Sequence, residues 1–331
     1  MYDTGLIVGK FYPPHKGHGY LIETALSRVK KLTIIVCGKK KEDKIDPDLR
    51  GAWLRELYPK AQVMVIEDTL DQDDSKAWAE ASIAWLGYKP DVVFTSEDYG
   101  DPWSRYLGSE HTQVDKERKT VPICATLIRA NPYKYWQFLE DPVRAYFAKR
   151  VCLVGAESTG KSTLSKDLAK HYKTTWVPEF GRYHWEARLT KGEDFIWSEK
   201  DFIRIANFQN EWEDELAKEA NRVLICDTNS FATGIWFERY MEEKSEKVEK
   251  SAEGRKYDLY IVTDVDVPFE DDGTRDGEHI REWMHKRFIQ DLKKRKEKYV
   301  VVSGSEKERI KKAVREIDKL FDVVYLDKGN G

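Results

Sequence analysis

Apolar and polar positions alternate along this chain in two successive series. In the first, short runs dense in apolar residues occur at Gly5–Val8, Leu32–Cys37, Gln62–Ile66 and Asp91–Phe94. Between them, apolar residues recur at helical spacing over His18–Val29, Pro47–Leu57 and Lys76–Leu86. Runs that are apolar at nearly every position predict strands buried on both faces, and strands alternating with helices predict a parallel sheet covered on both sides. Thr95–Lys119 is polar, carries Gly and Pro, and predicts loops near a site. After Pro122–Ile128, an aromatic segment (Tyr133–Phe138) and a short helix (Pro142–Phe147), the pattern restarts. Strands are predicted at Arg150–Val154, Thr174–Val177, Val223–Cys226, Leu259–Val262 and Tyr299–Val302, with helices at Lys161–Tyr172 and Glu199–Ala220. The charged run Glu242–Lys256 predicts a solvated helix or loop. The expected architecture is α/β: two doubly wound parallel-sheet domains, residues 1–148 and 149–331, which are not copies of each other.

Composition narrows the partners. Of 331 residues, 35% are charged and the net charge is −3, so nothing in the balance draws the chain to nucleic acid or acidic membranes. No apolar run approaches the roughly 20 residues of a membrane span, and Met1–Val8 lacks the pattern of a secretory signal. The four cysteines are far apart. Cys37, Cys152 and Cys226 fall in or at the end of apolar runs, which suits small buried thiols in a reducing compartment better than disulfides or metal ligands. A cytoplasmic location is expected.

Candidate chemistry sits where each series begins. After the first strand comes Gly9-Lys10-Phe11-Tyr12-Pro13-Pro14-His15-Lys16-Gly17-His18. Ligands of such sheets bind beyond the carboxyl ends of the strands. Gly9 and Gly17 admit a phosphate close to backbone, and the following helix offers free N–H groups. His15 and His18, three residues apart, can both aim imidazole N–H donors at one phosphate, stabilising charge during attack on an α-phosphate. The string resembles the signature of the HxGH nucleotidyltransferases, which transfer adenylyl or cytidylyl groups. A second motif of that family has its counterpart in Ile123-Cys124-Ala125-Thr126-Leu127-Ile128-Arg129, where Thr126 and Arg129 fit and Cys124 replaces a serine. The resemblance implies ATP binding by Gly9, Lys10, Phe11, Lys16, Thr126 and Arg129. Ser96-Glu97-Asp98-Tyr99-Gly100 resembles the family's segment after the fourth strand, which lines the nucleotide site.

The second series begins with Gly155-Ala156-Glu157-Ser158-Thr159-Gly160-Lys161-Ser162, a G-x-x-x-x-G-K-S loop after an apolar strand and before a helix. Its backbone N–H groups would cradle phosphates, Lys161 would contact the β and γ oxygens, and Ser162 would bind Mg²⁺ with Thr163 beside it. Glu179, just past the next strand, is placed to hold or deprotonate an acceptor hydroxyl, with Arg182 nearby. Asp227 ends a strand and suits Mg²⁺ or the acceptor; either carboxylate could instead cap a helix. Arg275 and Arg281 lie in the polar stretch Asp264–Arg281, either on a lid closing over ATP or as surface arginines.

There are eleven tryptophans. Most serve packing, but an aromatic face also suits a cationic pyridinium; Trp236 is a candidate in the second domain. The cluster Tyr135, Trp136, Phe138 reads as a packing seam between domains. Both motif sets in this order resemble the bifunctional NadR-type family over nearly the whole chain. More specific marks are Ile128–Trp136 with Val143–Phe147 behind it, Pro178-Glu179-Phe180-Gly181-Arg182-Tyr183, and Asp271-Asp272-Gly273-Thr274-Arg275. The resemblance implies that the second domain phosphorylates nicotinamide riboside to the mononucleotide (NMN), and that the first adenylylates NMN to NAD and pyrophosphate. Each step would use ATP and Mg²⁺. It implies NMN contacts from Trp78 and Glu97, and riboside contacts from Glu179, Arg182 and Trp236. A strand beginning by Gly5 leaves no room for the N-terminal DNA-binding helix-turn-helix of some members, so a DNA-binding role is not expected; a homo-oligomer is compatible with the chain. Two alternatives stay open: a coenzyme A synthase-like pairing with phosphopantetheine as acceptor, and a nucleotide sensor with one inactive domain.

Overall fold

Gly9 ends, and Gly155 directly follows, the central strand of a separate parallel sheet. The computed structural model describes residues 1–189, 196–270 and 277–322, and the backbone divides between Val143 and Arg144 into two units. The division falls inside the helix Asp141–Phe147, a few residues before the boundary expected at 148.

In the first unit the elements run β1 (Tyr2–Gly9), α1 (Lys16–Leu26), β2 (Val29–Gly38), α2 (Pro47–Leu57), β3 (Gln62–Glu67), α3 (Ser75–Leu86), β4 (Val92–Thr95), α4 (Gly100–Leu107), β5 (Glu110–Gln113), α5 (Ala125–Ala130) and α6 (Asp141–Phe147). The sheet order is β3-β2-β1-β4-β5, with every pairing parallel. Alternate residues of each strand serve opposite faces. Ile7, Ile34, Val36 and Phe94 pack with Leu21, Ile22 and Leu54 on one side. Leu6, Val8, Ile35 and Val93 pack with Ala79, Trp103 and Leu107 on the other. Each such fully buried side chain contributes about 1.5–3 kcal/mol over its exposed state. Strand order reverses between β1 and β4, so the crevice at their carboxyl ends lies where the first loop emerges.

The expectation of loops over Thr95–Lys119 is corrected by α4 and β5. Trp103 and Leu107, four residues apart, share one buried helix face. Pro102 falls in the first turn, where a missing N–H leaves no hydrogen bond unmade. The strand β5 reads Glu-His-Thr-Gln and shows no apolar alternation; its conformation comes from pairing with β4 at the sheet edge. Val29 belongs to β2, not to the preceding helix. β1 starts earlier than its apolar run because Tyr2 and Thr4 already pair with Val29 and Lys31 of β2; the Thr4 N–H and hydroxyl also donate to the Asp91 carboxylate, at 2.8 and 2.9 Å.

The second unit runs β6 (Lys149–Val154), α7 (Lys161–Tyr172), β7 (Trp176–Val177), α8 (Phe180–Leu189), α9 (Glu199–Glu219), β8 (Val223–Asp227), α10 (Ser230–Met241), α11 (Glu246–Lys250), β9 (Leu259–Thr263), α12 (Arg281–Arg295), β10 (Tyr299–Val302) and α13 (Glu306–Asp318). Its sheet, β10-β9-β6-β8-β7, is again parallel throughout. The charged run after Met241 is less solvated than its composition suggests. α11 buries Val248 completely against Phe202 and Phe237, while its lysines and glutamates face outward. Cys37, Cys152 and Cys226 are buried free thiols, and burial pushes all three up, Cys37 to about 12. Among the described residues no helix is long and apolar enough to cross a membrane.

Candidate active sites

The first site is assembled on the carboxyl end of β1. His15 is the N-cap of α1: its Nδ1 accepts from the N–H groups of Gly17 (3.1 Å) and His18 (3.3 Å). A ring nitrogen that accepts carries no proton, so the proton of neutral His15 sits on Nε2 as a donor. The rings of His15 and His18 stack at 3.8 Å. Burial, with the Arg118 guanidinium adding to it, lowers His15 to about 4; burial, then His15, then Arg118 hold His18 well below its ordinary value. Both imidazoles are therefore neutral near pH 7. His18 Nδ1 is buried with no hydrogen-bond partner among the described residues, an orphan that an incoming ligand could satisfy.

The fold brings the second motif onto the first. Arg129, on α5, donates to the Tyr12 carbonyl at 2.7 Å and to the Thr126 hydroxyl at 3.2 Å, and lies 5.0 Å over the Tyr12 ring. Cys124 is the N-cap of α5 but makes no side-chain cap bond, as its lack of a hydroxyl implies. Lys10 and Lys16 are exposed beside the loop, and Phe11 is buried under it, 4.8 Å from the His18 ring. Glu97 is exposed and paired with Arg118 at 3.4 Å. Trp78 is half-buried on α3. Its indole N–H donates to the Asp71 carbonyl at 2.9 Å and its ring meets Trp85 edge-on. Trp136 is buried and stacks on Tyr133 within this unit.

Two arginines here carry no motif. Arg50 is fully buried, pairs with Asp43, donates to the Lys10 carbonyl at 2.5 Å and lies 4.8 Å over the Tyr12 ring, opposite in sequence to Arg129 but on the same aromatic support. Arg118 reaches both histidines electrostatically from a loop whose N–H groups at 119, 120 and 121 all donate to Asp115. Only an unusual arginine inside an otherwise amphipathic helix could have flagged Arg50.

The second site lies at the carboxyl end of β6, and the structure gathers Glu157, Ser158, Thr159, Gly160, Lys161, Ser162, Thr163, Glu179, Arg182 and Trp236 around one pocket. At Gly155 (φ 153°) a Cβ would come within 2.3 Å of the Thr263 hydroxyl, so only glycine lets the loop pass this close to β9. Lys161 Nζ donates to the Ala156 carbonyl at 2.7 Å, folded along its own loop. Asp227 is buried below the pocket, and its Oδ1 has no partner among the described residues. Burial pushes Asp227 up, opposed by the Ser162 hydroxyl and Lys161. Burial also pushes Glu179 up to about 6; Lys161 opposes the shift and Asp227 reinforces it. An unsatisfied carboxylate oxygen next to a serine hydroxyl is a fit for Mg²⁺, which takes one or two protein oxygens and completes its shell with water and phosphate.

Other expectations change. Arg281 is not a surface side chain: it is buried at the start of α12 and donates to the carbonyls of Ser158 (3.1 Å) and Val267 (2.8 Å). Arg275 and the Asp271–Arg275 segment lie outside the described residues. Glu157 faces Arg239 in a buried ion pair and accepts the Gly277 N–H at 2.9 Å. The aromatic wall is larger than Trp236 alone. Trp185 and Trp197 stack at 5.6 Å, Trp197 contacts Tyr240 at 5.1 Å, and all line the pocket. Trp185 and Tyr240 sit in α8 and α10 and Trp197 just before α9, none within a local motif, and only the count of tryptophans hinted at them.

Comparison with known proteins agrees with this geometry. Residues 150–309 match the family described as an AAA domain. The fold and the two sites define the class: a nucleotidyltransferase-type sheet followed by a P-loop kinase-type sheet. The chain is 30% identical over 294 residues to the trifunctional NAD biosynthesis/regulator protein NadR of Escherichia coli (strain K12), covering 82% of this chain and 71% of that protein. It is likewise 30% identical to the protein of the same name from Salmonella typhimurium (82% and 72% covered). The chain belongs to the NadR family. Crystal structures of NadR protein share the fold at 20% identity. One, in complex with NAD and AMP-PNP, has a TM-score of 0.77 and covers 98% of this chain and 97% of that one. Another, in complex with NR, has a TM-score of 0.75 and covers 97% and 96%.

Proposed function

We propose that this chain makes NAD in two ATP-dependent steps: the second unit phosphorylates nicotinamide riboside to NMN, and the first transfers adenylyl from ATP to NMN. The observation that carries this reading is the pair of complete phosphate sites on separate sheets, in a chain of the NadR family. We assign residues 1–148 to the adenylyltransferase and 149–331 to the kinase.

In the kinase site the loop N–H groups and Lys161 bind the nucleotide phosphates, and Lys161 leaves the Ala156 carbonyl to do so. Glu179 lines the same pocket as the loop and accepts the proton of the riboside hydroxyl as that oxygen attacks the γ-phosphorus and ADP departs. Its raised pKa makes it a better base while leaving it ionised at pH 7. Trp185, Trp197, Trp236 and Tyr240 line the same pocket and supply the aromatic surface for the pyridinium, and Arg182 lines it with them. Ser162 and Asp227 would hold Mg²⁺, which when bound neutralises charge on the β and γ oxygens.

In the adenylyltransferase site the 5′-phosphate oxygen of NMN attacks the α-phosphorus of ATP and pyrophosphate leaves. His15 Nε2–H, His18, Arg129 and the lysines Lys10 and Lys16 supply donors and positive charge to the phosphate oxygens, with Thr126 steering Arg129. No protein group needs to change protonation, which suits two imidazoles held neutral. Gly9 and Phe11 shape the loop, and Trp78 and Glu97 are assigned to the NMN side. The test is to assay each half-reaction alone. With the His18→Ala variant, riboside, ATP and Mg²⁺ should give ADP and NMN; with the unaltered chain, NMN, ATP and Mg²⁺ should give NAD and pyrophosphate. Phosphorylation without NAD formation would make the first unit a sensor, and turnover of phosphopantetheine in place of NMN would replace the substrate assignment.

A further inference from the structure

Two arginines from distant parts of the second unit meet the backs of consecutive peptide groups in the phosphate loop. Arg281, the first residue of α12, donates to the Ser158 carbonyl at 3.1 Å. Arg309, on α13, donates to the Thr159 carbonyl at 2.7 Å. Both side chains are buried, 8% and 5% exposed. In a trans peptide the carbonyl and the next N–H point opposite ways. Fixing the carbonyls of Ser158 and Thr159 on the outside of the loop therefore fixes the N–H groups of Thr159 and Gly160 toward its inside. Those are the donors a phosphate needs in a backbone nest.

The loop requires this restraint. Ser158 has a φ of 52° and Gly160 a φ of 79°. The first is a left-handed conformation that a side chain bearing a Cβ adopts at a cost. The Ser158 hydroxyl is held as well, accepting from the Glu270 N–H at 2.8 Å. Arg309 is itself locked: it pairs with Asp266 and donates from Nε to the Gly304 carbonyl at 3.0 Å. Arg281 is fastened to Val267 at 2.8 Å. The guanidiniums also stand behind the loop, Arg309 with its charge shared with Asp266.

We propose that Arg281 and Arg309 are positioning residues for nucleotide binding, presetting the loop N–H groups and adding positive potential to the phosphate site. This rests on the loop binding nucleoside triphosphate, and not on which acceptor the kinase uses. The probe is AMP-PNP with Mg²⁺, titrated calorimetrically into the full chain. Arg309→Met and Arg281→Met should each weaken AMP-PNP binding by about tenfold or more, the scale of one charge-assisted hydrogen bond. Arg309→Lys should recover part of the loss by keeping the charge, while lacking the fork that serves Thr159, Gly304 and Asp266 together. In turnover the KM for ATP should rise and the KM for the acceptor should not. Adenylyl transfer by the first unit measures active chain in the same sample. If Arg309→Met does not fold, Arg309→Lys and Arg281→Met carry the test. Wild-type AMP-PNP affinity in folded variants would overturn the proposal. So would equal rises in both KM values with a lowered melting temperature, the mark of a merely structural role. Failure of the wild type to phosphorylate the riboside would instead overturn the substrate assignment and leave this test intact.

Discussion

Acidification should silence one activity of this chain before the other. Glu179 is pushed up to about 6 and His15 is lowered to about 4. A base with a pKa near 6 is about nine-tenths ionised at pH 7 and about one-tenth at pH 5. Kinase kcat/KM should thus fall about eight- to tenfold between pH 7 and pH 5. His15 stays about nine-tenths neutral at pH 5, so adenylyl transfer should change by less than about twofold over the same range. The upward push on Glu179 comes first from burial and, among its charged neighbours, from Asp227. Both rates are measured on one preparation at saturating Mg²⁺, following ADP and pyrophosphate separately. Glu179→Gln should lower the kinase rate and remove the inflection near pH 6, leaving adenylyl transfer as it was. A kinase profile flat down to pH 5, or parallel decline of both activities, would refute the reasoning.

The stability consequence has the opposite sign for the two groups. A histidine whose folded pKa lies below 6.5 binds fewer protons than the unfolded chain between about 4 and 6.5, so His15 makes the first unit lose stability as pH falls through that window, by about 3 kcal/mol at most. Chemical denaturation of the protein at pH 7 and pH 5 should show the loss; His15→Gln should reduce it. His18→Ala should abolish adenylyl transfer and leave riboside phosphorylation within about twofold, and Lys161→Ala should do the reverse; simultaneous loss of both activities in a folded variant contradicts separate sites. Gly38→Ala should disable adenylyl transfer, because its Cβ would lie 2.0 Å from Arg50 Nη2 and 2.7 Å from Pro47, and the buried Arg50 has nowhere to retreat. The expected cost is about 1–3 kcal/mol, read as a shift in the denaturation midpoint; an unchanged midpoint with full activity would show that Arg50 can move.

Much of this was legible along the chain because the strongest signals are local. The loops after β1 and β6 follow apolar strands and hold their residues within a few positions of one another, so spacing alone implies a shared target. Lys161–Tyr172, Pro47–Leu57 and Tyr299–Val302 have the bounds their periodicity predicts. What was illegible depends on tertiary context. β5 is a strand only because β4 offers it an edge, and α4 begins with Gly-Asp-Pro, which reads as a turn until Trp103 and Leu107 find a shared core. Arg50, Arg281 and Arg309 look like surface residues in charged helices, yet each is buried because a loop carbonyl and a carboxylate or second carbonyl await it. Of the aromatic residues of the kinase pocket only Trp236 was singled out in the sequence, since Trp185, Trp197 and Tyr240 come from separate segments.

The most direct test of the central claim is a chromatographic time course of products formed from nicotinamide riboside, ATP and Mg²⁺ by the purified protein. The account predicts that NMN rises first and then yields to NAD, with ADP and pyrophosphate released in step. Accumulation of NMN with no NAD, or no product at all, would contradict it.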